Sequence, residues 1–232
     1  MRVAIMQPYF FPYIGYFQLI GAVDLFIVYD NIKYTKKGWI NRNRMLLAGR
    51  DVMFSLPLRS GSDSLDVRDR ELATDFNRIK LLNQFRGAYS RAPHFADVFP
   101  MIERAVRHDE SNLFGYLNHA LACACGQLSL TTPIRVSSSV DIDHGLRNQD
   151  KVIALAKAVG ATTYVNAIGG VELYDGAAFR DRGLDLRFIR PKPFEYVQFG
   201  DPFVPWLSII DVMMFNDLDV VRKTTLNHYE MV

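Results

Sequence analysis

The sequence predicts an α/β protein built on a doubly wound, mostly parallel sheet of five strands. Three observations support this fold class. Residues 1–30 alternate strand, helix and strand patterns, residues 75–130 have helical periodicity, and strand–helix alternation returns after Pro133. We therefore expect a single α/β domain over residues 1–232, with a helical insertion at residues 75–130 between strands two and three.

The first thirty residues contain a strand–helix–strand unit. Residues 3–6 form a short apolar run, and residues 25–29 form a continuous one, as in a strand covered on both faces. Between them, residues 13–23 place apolar side chains three and four positions apart, on one helical face. A unit of this kind is right-handed and has parallel strands.

The middle of the chain predicts a hairpin and then helices. Residues 45–48 and 52–58 flank the turn-forming run Gly49-Arg50-Asp51. Apolar stripes at helical spacing follow within residues 81–85, 102–106 and 113–121.

Three more strands and three more helices are expected after Pro133. The strands are residues 134–140, 163–166 and 186–189, and the helices are residues 149–159, 171–182 and 207–215. Gly183 is placed to end the second of these helices.

Composition and charge exclude several classes of protein. The 232 residues are 49% hydrophobic and 22% charged, which is ordinary for a globular protein. A net charge of +2 does not support a protein that binds a nucleic-acid duplex. No apolar run approaches about 20 residues, so we expect no membrane insertion, and the N-terminus lacks the order of a signal peptide. Cys123 and Cys125 point to different faces of a helix, which favours free thiols in a reducing cytoplasm.

Polar or glycine-containing segments follow four of the predicted strands. They are Gln7-Pro8, Asp30-Asn31, Ser137-Ser138-Ser139 and the run from Asn166 to Gly170. Doubly wound sheets bind ligands outside the carboxyl ends of their strands, near the point where the strand order reverses. We therefore expect a ligand site at this edge, and His144 is the histidine to examine because it follows the serine run.

The loop after the first strand is stiff and rich in aromatic residues. Gln7 ends the strand, and Pro8 and a second proline restrict the backbone on either side of Tyr9. Gly15 and Tyr16 lie at the start of the next helix, where free N–H groups favour a phosphate or carboxylate. The alternative is an aromatic turn that only packs on the core.

Residues 30–43 form the densest polar segment. Lys36 and Lys37 supply movable positive charge, and Arg42 can bind a phosphate or carboxylate through two parallel hydrogen bonds. An aromatic ring for stacking and two amides complete the segment: Trp39, Asn41 and Asn43. The alternative is a solvated basic loop.

Two later segments add candidates. Gly169 and Gly170 precede a helix and let a ligand approach its N-terminus, although the full G-x-G-x-x-G pattern of nicotinamide binding is absent. Ser208 and Asp211 are three positions apart, so a structural helix cap is the alternative for them. No complete G-x-S-x-G, H-E-x-x-H or P-loop motif is present, which favours catalysis by positioning and electrostatics.

These motifs resemble the WbqC-like family. The opening part of the resemblance consists of Gln7-Pro8, Pro12, Gly15-Tyr16-Phe17, Asp24, Asp30 and Trp39-x-Asn41-Arg42-Asn43. The closing part consists of residues 164–175, Tyr196-x-Gln198 and the run from Leu207 to Asp211. The resemblance covers nearly the whole chain and implies a cytoplasmic bacterial protein of lipopolysaccharide O-antigen and related surface-polysaccharide pathways.

The resemblance also implies a substrate and a reaction. The substrate is a nucleotide-linked amino sugar, and the reaction attaches an aminoacyl group such as glycyl, or another acyl group, to its amine. Amide formation then requires ATP or a charged acyl carrier. We expect Gln7, Asp30, Lys36 and Arg42 to be catalytic, and we assign no metal ligands. The remaining candidates would bind substrate: Pro8, Tyr9, Gly15, Tyr16, Lys37, Trp39, Asn41, Asn43, Ser138, Asn166, Gly169, Gly170, Gln198, Ser208 and Asp211.

Two alternatives remain open. One is a module that binds nucleotide sugars without turnover. The other follows from a weaker resemblance to nucleotidylyltransferases and class I aminoacyl-tRNA synthetases, whose H-x-G-H signature corresponds here to Tyr13-Ile14-Gly15-Tyr16. Both histidines are absent, so adenylylation would need a cation from residues 36–42 instead. Many WbqC-like relatives carry Ser-Gly where this chain has Asn166-Ala167, which implies a different substrate if that position touches ligand.

Overall fold

The computed structural model describes residues 1–200 and 202–232 and confirms the α/β fold class. Its strands are β1 (Arg2–Met6), β2 (Leu25–Val28), β3 (Arg42–Leu47), β4 (Arg50–Ser55), β5 (Ile134–Val136), β6 (Thr163–Ala167), β7 (Asp185–Pro191) and β8 (Tyr229–Met231). Six of them form the main sheet, in the order β5-β2-β1-β6-β7-β8, and β3 and β4 pair separately. All neighbouring pairs of the main sheet are parallel except β7–β8.

The sixth strand of the main sheet is a difference from the expected five. The sequence does not predict β8 because three residues are too few to carry a periodic pattern. It pairs antiparallel with β7, with Arg190 opposite Glu230, and so covers the backbone groups at that edge of β7.

Eight helices surround the sheet in the described part of the chain. They are α1 (Ile14–Gly21), α2 (Arg78–Tyr89), α3 (Phe95–Val106), α4 (Leu113–Gln127), α5 (Asn148–Ala158), α6 (Gly176–Arg180), α7 (Ile209–Phe215) and α8 (Leu218–Asn227). Asn77 and Asn112 begin α2 and α4 by accepting hydrogen bonds from backbone N–H groups of the first turn. No helix among these residues is both long and apolar enough to cross a membrane.

Local hydrogen bonding explains where elements differ from expectation. The strand expected over residues 134–140 stops at Val136, and a 3₁₀ turn (Ser137–Ser139) follows it. The helix expected over residues 171–182 is divided into a 3₁₀ turn (Ile168–Leu173) and α6, because the Asp175 side chain caps α6. Helix α8 is an additional element that the sequence pattern does not predict.

The hairpin of β3 and β4 turns through Ala48 and Gly49. Both residues have positive φ, 51° and 74°, as a two-residue turn matched to the strand twist requires. The hairpin places Asn43 against the loop that follows β1, where Asn43 Nδ2 donates to Phe11 O.

Side chains of β1 alternate between two cores. Val3 and Ile5 pack with residues of α5 and α6, while Ala4 belongs to the larger core that includes α1, the insertion and α7. Helices therefore cover both faces of the sheet, as in a doubly wound fold.

The reversal of strand order lies at β1. Strands β1 and β2 pair as far as Met6 opposite Val28, but β1 and β6 pair only as far as Val3 opposite Tyr164. Beyond that point β1 and β6 part toward their carboxyl ends. This opening is where a doubly wound sheet offers room for a ligand.

Candidate functional site

The loop from β1 to α1 (residues 7–13) is held by two distant segments. Phe10 N donates to Ile40 O at 3.0 Å, which ties the loop to the segment before the hairpin. Ser208 Oγ donates to Phe11 O at 2.8 Å, which ties it to the start of α7. Chain segments far apart in sequence therefore meet beside the carboxyl end of β1.

An aromatic surface lies beside this loop and consists of Tyr9, Tyr13, Trp39, Trp206 and the cation Arg44. The rings of Tyr9 and Trp39 are 6.4 Å apart, and those of Tyr13 and Trp206 are 6.1 Å apart. The Arg44 guanidinium lies 5.3 Å from the Trp39 ring and donates to Trp206 O at 3.2 Å. Flat rings around a cation suit a sugar or nucleobase that carries negative charge nearby.

An aromatic groove of about 270 Å³ extends from this surface to the carboxyl end of β7. Tyr13 and Ile14 line it from the start of α1, and Pro191 lines it from the end of β7. Its other aromatic walls are Phe194, Tyr196, Phe203 and Trp206. The groove therefore opens at the same edge of the sheet as the parting of β1 and β6.

Trp206 has an unusual backbone for a bulky residue. Its φ is 61°, in the left-handed region, and the residue is 65% exposed. Such a conformation costs a non-glycine residue roughly 1–2 kcal/mol. Strain of this kind concentrates at binding sites, where the surrounding structure holds it in place.

A polar cluster joins the carboxyl ends of β2 and β5. It consists of Asp30, Asn31, Ser137, Ser138, His144 and Lys151. Asp30 Oδ1 accepts from Ser137 Oγ at 2.7 Å and from Ser138 N at 2.9 Å. Burial of Asp30 acts to raise its pKa, but the hydrogen bonds from Ser138 and Ser137 outweigh it and hold the pKa below its usual value. Asp30 is therefore a carboxylate whose oxygen Oδ1 is held in place by hydrogen bonds from its neighbours.

Asn31 connects this carboxylate to a histidine and a lysine. Its side-chain amide lies 2.7 Å from Ser137 Oγ on one side and 2.9 Å from His144 Nδ1 on the other. Lys151 Nζ donates to Asn31 O at 3.2 Å and lies 5.2 Å from the centre of the Tyr29 ring. Only 7% of Lys151 is exposed, and this burial lowers the pKa of its ammonium group.

The end of β6 contributes a packed amide and a tyrosine pair. A Cβ at Gly170 would lie 2.6 Å from Asn166 Nδ2, so the glycine lets the 3₁₀ turn fold closely over Asn166. Tyr164 Oη lies 3.2 Å from Tyr174 Oη. Burial raises the pKa of nearby Tyr29 to about 12, so its phenol is protonated at neutral pH.

Comparison with known proteins gives the family. The model of the WbqC-like protein family matches residues 7–223. The chain belongs to this family. The uncharacterized protein Rv1507c of Mycobacterium tuberculosis (strain ATCC 25618 / H37Rv) is 28% identical over 219 residues, which is 93% of this chain and 93% of that protein. No solved structure matches the chain.

Three of the expected site residues of this WbqC-like protein follow or end neighbouring strands. Gln7 follows β1, Asp30 follows β2 and Asn166 lies in β6, all at the carboxyl edge. Tyr16 is buried, and its hydroxyl donates to Gln7 O at 3.0 Å, which holds the backbone where β1 ends. A Cβ at Gly15 would lie 2.5 Å from Tyr13, because the Tyr13 ring covers the start of α1.

The expected cations of residues 36–42 make contacts within their own region. Lys36 Nζ forms an exposed ion pair with Asp63 at 2.7 Å. Arg42 donates to Lys36 O, which folds the loop back on the start of β3. Lys37 is exposed. The cation that the structure places at the aromatic surface is Arg44.

Other expected binding residues make buried hydrogen bonds. Asn41 Oδ1 accepts from Tyr34 Oη at 2.8 Å, and Asn43 Nδ2 donates to Phe11 O. Ser208 caps α7 by accepting from Ile210 N. These contacts orient the loop that supports the aromatic surface.

Asp211 lies in a second buried network. Its Oδ1 accepts from Tyr89 Oη at 2.9 Å, and its Oδ2 accepts from Tyr196 Oη at 2.7 Å and from Gln198 Nε2 at 2.8 Å. Burial raises the pKa of the Asp211 carboxyl, although the three hydrogen bonds act to lower it. The network positions Tyr196, whose ring lines the aromatic groove.

Sequence reasoning does not select Tyr13, Arg44, Lys151, Phe194 or Phe203 as site residues. One sequence signal could have identified Lys151, which lies on a helix face that is otherwise apolar. A lysine on such a face must be buried or reach around the helix. The other four become neighbours only through tertiary folding.

Proposed function

We propose that this WbqC-like protein attaches an aminoacyl or acyl group, with glycyl as the first candidate, to the amine of a nucleotide-linked amino sugar. The observation that carries the proposal is the pairing, at one edge of a doubly wound sheet, of an aromatic groove with a polar cluster. The groove offers stacking surfaces for a nucleobase or sugar, and the cluster offers a carboxylate, an amide, an imidazole and an ammonium group.

The spacing of the two parts suits an extended ligand. The ends of β2 and β7 are three strand intervals apart in the sheet order, which is about 14 Å at about 4.8 Å for each interval. A nucleoside diphosphate sugar can extend over such a distance. Its two ends would then lie in the groove and at the polar cluster, and its diphosphate would lie across the ends of β1 and β6.

The reaction makes one bond and breaks one. The sugar amine nitrogen attacks the carbonyl carbon of an activated acyl donor, which forms the amide C–N bond and breaks the bond from that carbon to the leaving oxygen or sulfur. The leaving group departs with the bonding electron pair. A cationic amine first gives one proton to solvent, and the neutral amine then loses one more as the amide forms. With a free amino acid the donor would be an acyl adenylate made from ATP, and with a charged carrier it would be a thioester.

The polar cluster supports this chemistry because it holds charge close to the expected amine. The Asp30 carboxylate would attract the cationic amino group, and Lys151 would face a phosphate or carboxylate. Gln7, Lys36 and Arg42 remain expected contributors to catalysis, and ATP or an acyl carrier remains the expected co-substrate. We also propose that the protein acts in the cytoplasm and in surface-polysaccharide synthesis, in line with its family.

The test is a mass-spectrometric assay of product formation. The protein is incubated with dTDP-4-amino-4,6-dideoxyglucose, glycine and ATP, and then with a panel of other amino sugars, amino acids and acyl thioesters. The proposal predicts a sugar product that gains the acyl group, and loss of that product in Trp206→Ala but not in Val197→Ala, an exposed neighbour outside the groove. Tight sugar binding without product from any donor would indicate a binding module instead.

A further inference from the structure

We propose that His144 is the proton acceptor of the site, with its Nδ1–H bonded to Asn31 and its Nε2 lone pair free to receive a proton from substrate. The inference rests on the proposed function for the identity of the substrate proton, which comes from the sugar amine. The tautomer itself follows from hydrogen bonding within the protein.

The Ser137 hydroxyl has a single proton to donate. Ser137 Oγ lies 2.7 Å from Asp30 Oδ1 and receives a hydrogen bond from Asp30 N at 3.2 Å. A carboxylate only accepts, so the hydroxyl proton points to Asp30. The hydroxyl then has one remaining lone pair, and it can accept from one more donor.

That donor has to come from Asn31. The structure places Asn31 Oδ1 2.7 Å from Ser137 Oγ, but Ser137 has no second proton to give to that oxygen. An oxygen there would face an oxygen without a proton between them, whereas an NH₂ group satisfies both partners. The hydrogen-bond network therefore assigns the Asn31 amide with its nitrogen toward Ser137 and its oxygen toward His144.

The orientation of Asn31 decides the tautomer of His144. With the amide turned in this way, its oxygen takes the place of Nδ2, 2.9 Å from His144 Nδ1, and it can only accept, so Nδ1 carries the proton. In the neutral ring Nε2 then has a free lone pair. His144 is an exposed residue beside Asn31 at the carboxyl edge of the sheet, so a ligand can approach it there.

Hydrogen bonds thus run from His144 through Asn31 and Ser137 to the Asp30 carboxylate. A base held by a second group, which is itself held by a third, is the usual arrangement of a catalytic imidazole. When Nε2 accepts the amine proton, the Nδ1–H bond to Asn31 persists. The proton then passes to the departing oxygen or sulfur of the acyl donor, which restores the neutral ring.

Charged groups of both signs lie near His144. Asn31 contacts the ring from the end of β2, Lys151 donates to Asn31 O from α5, and Asp143 and Arg147 lie on the ring's own segment.

The first test reads the tautomer by ¹⁵N–¹H NMR of the histidine rings in alkaline buffer, where imidazole is neutral. His144→Gln assigns the His144 signals. His228 is an internal reference with the opposite tautomer, because its Nε2 lies 2.8 Å from Pro193 O and must donate. We expect protonated Nδ1 in His144 and protonated Nε2 in His228. Protonated Nε2 in His144, or averaging of its two nitrogens, would overturn the inference whether or not the substrate is known.

Ser137→Ala adds a second readout, because it removes the hydroxyl that orients the Asn31 amide. We expect the two His144 nitrogens to average in this variant while the His228 signals stay unchanged. An unchanged His144 tautomer would contradict the assigned network.

The activity test compares His144→Gln with His94→Gln, a histidine at the start of α3 outside the polar cluster. We expect a loss of roughly 10²–10⁴-fold in product formation for His144→Gln and none for His94→Gln. Full activity of His144→Gln would overturn the role of proton acceptor. An inactive wild-type protein would count against the proposed reaction, and the NMR result would still decide the tautomer.

Discussion

Arg44 donates a hydrogen bond to the backbone carbonyl of Trp206 across 162 positions of sequence, at 3.2 Å. The same guanidinium lies over the Trp39 ring and forms an ion pair with Asp51 at 3.1 Å. It therefore joins the β3–β4 hairpin to the loop before α7 and holds two exposed tryptophans beside one cation. The aromatic surface depends on this contact.

Substitution of Arg44 should weaken binding more than folding. Arg44→Gln removes the charge and the bond to Trp206, and we expect a loss of about 1.5–3 kcal/mol in the binding free energy of a nucleotide sugar. Calorimetric titration measures this loss. Arg50→Gln, at an exposed position of the same hairpin, serves as control and should bind like wild type. Equal losses in both variants would indicate a nonspecific effect of charge.

Two substitutions of Trp206 distinguish the cost of its backbone strain from the contribution of its ring to binding. Trp206→Gly removes the ring and also relieves the positive φ, whereas Trp206→Ala removes the ring alone. We expect the free energy of unfolding to be about 1 kcal/mol higher for the glycine variant than for the alanine variant. In both variants the binding free energy should fall by about 1–3 kcal/mol, because the ring no longer stacks on a nucleobase. Urea unfolding and calorimetry give the two quantities. Wild-type affinity in either variant would exclude Trp206 from the site.

Gly169 and Gly170 are neighbours with opposite surroundings. A Cβ at Gly170 would lie 2.6 Å from Asn166 Nδ2, while one at Gly169 would meet no heavy atom within 4 Å. We expect Gly170→Ala to lower the free energy of unfolding by about 1–3 kcal/mol and to displace the Asn166 amide. Gly169→Ala should change it by less than about 0.5 kcal/mol. A cost as large for Gly169→Ala would show that the turn, rather than the contact with Asn166, requires glycine.

Because of the Asp211 network, the loss of stability in Tyr196→Phe should depend on pH. Tyr196→Phe removes a donor to Asp211 Oδ2, and at pH 8 we expect a loss of about 1–3 kcal/mol in the free energy of unfolding. The pKa of Asp211 is raised above 3.8 in the folded protein, so the carboxyl gains its proton there at a higher pH than in the unfolded chain. As the pH falls through that raised value, the carboxylate that needs the donor disappears and the loss should shrink.

Tyr116→Phe is the control for that experiment. Tyr116 is also buried, and its hydroxyl donates to the uncharged carbonyl of Val106 at 2.9 Å. Its cost should be similar at pH 4.5 and pH 8. A parallel decrease in both variants at low pH would remove Asp211 as the cause.

The parallel core of the fold could be predicted because its signals are local. The apolar runs of β1 and β2 are continuous, and the polar residues Gln7 and Asp30 follow them directly. The order of adjacent strands then follows from the short connection through α1 and the right-handed crossover.

The composition of the site could not be predicted from local signals. Asn31 and His144 are 113 positions apart, and Tyr89 and Asp211 are 122 apart. The positive charge of residues 36–42 is evident in the sequence, but two of its side chains make contacts within their own region. Lys36 pairs with Asp63, and Arg42 donates to a backbone carbonyl. Arg44, two positions later, reaches the aromatic surface because the hairpin register directs it there.

Tryptophan fluorescence tests the central claim most directly, because both tryptophans of the chain, Trp39 and Trp206, lie at the aromatic surface. Wild type, Trp39→Phe and Trp206→Phe are titrated with dTDP-4-amino-4,6-dideoxyglucose, and binding is measured in parallel by calorimetry. We predict a saturable fluorescence change in all three proteins, with midpoints that match the calorimetric affinities. Calorimetric binding that leaves both tryptophans unchanged would place the ligand elsewhere on the molecule and contradict the account.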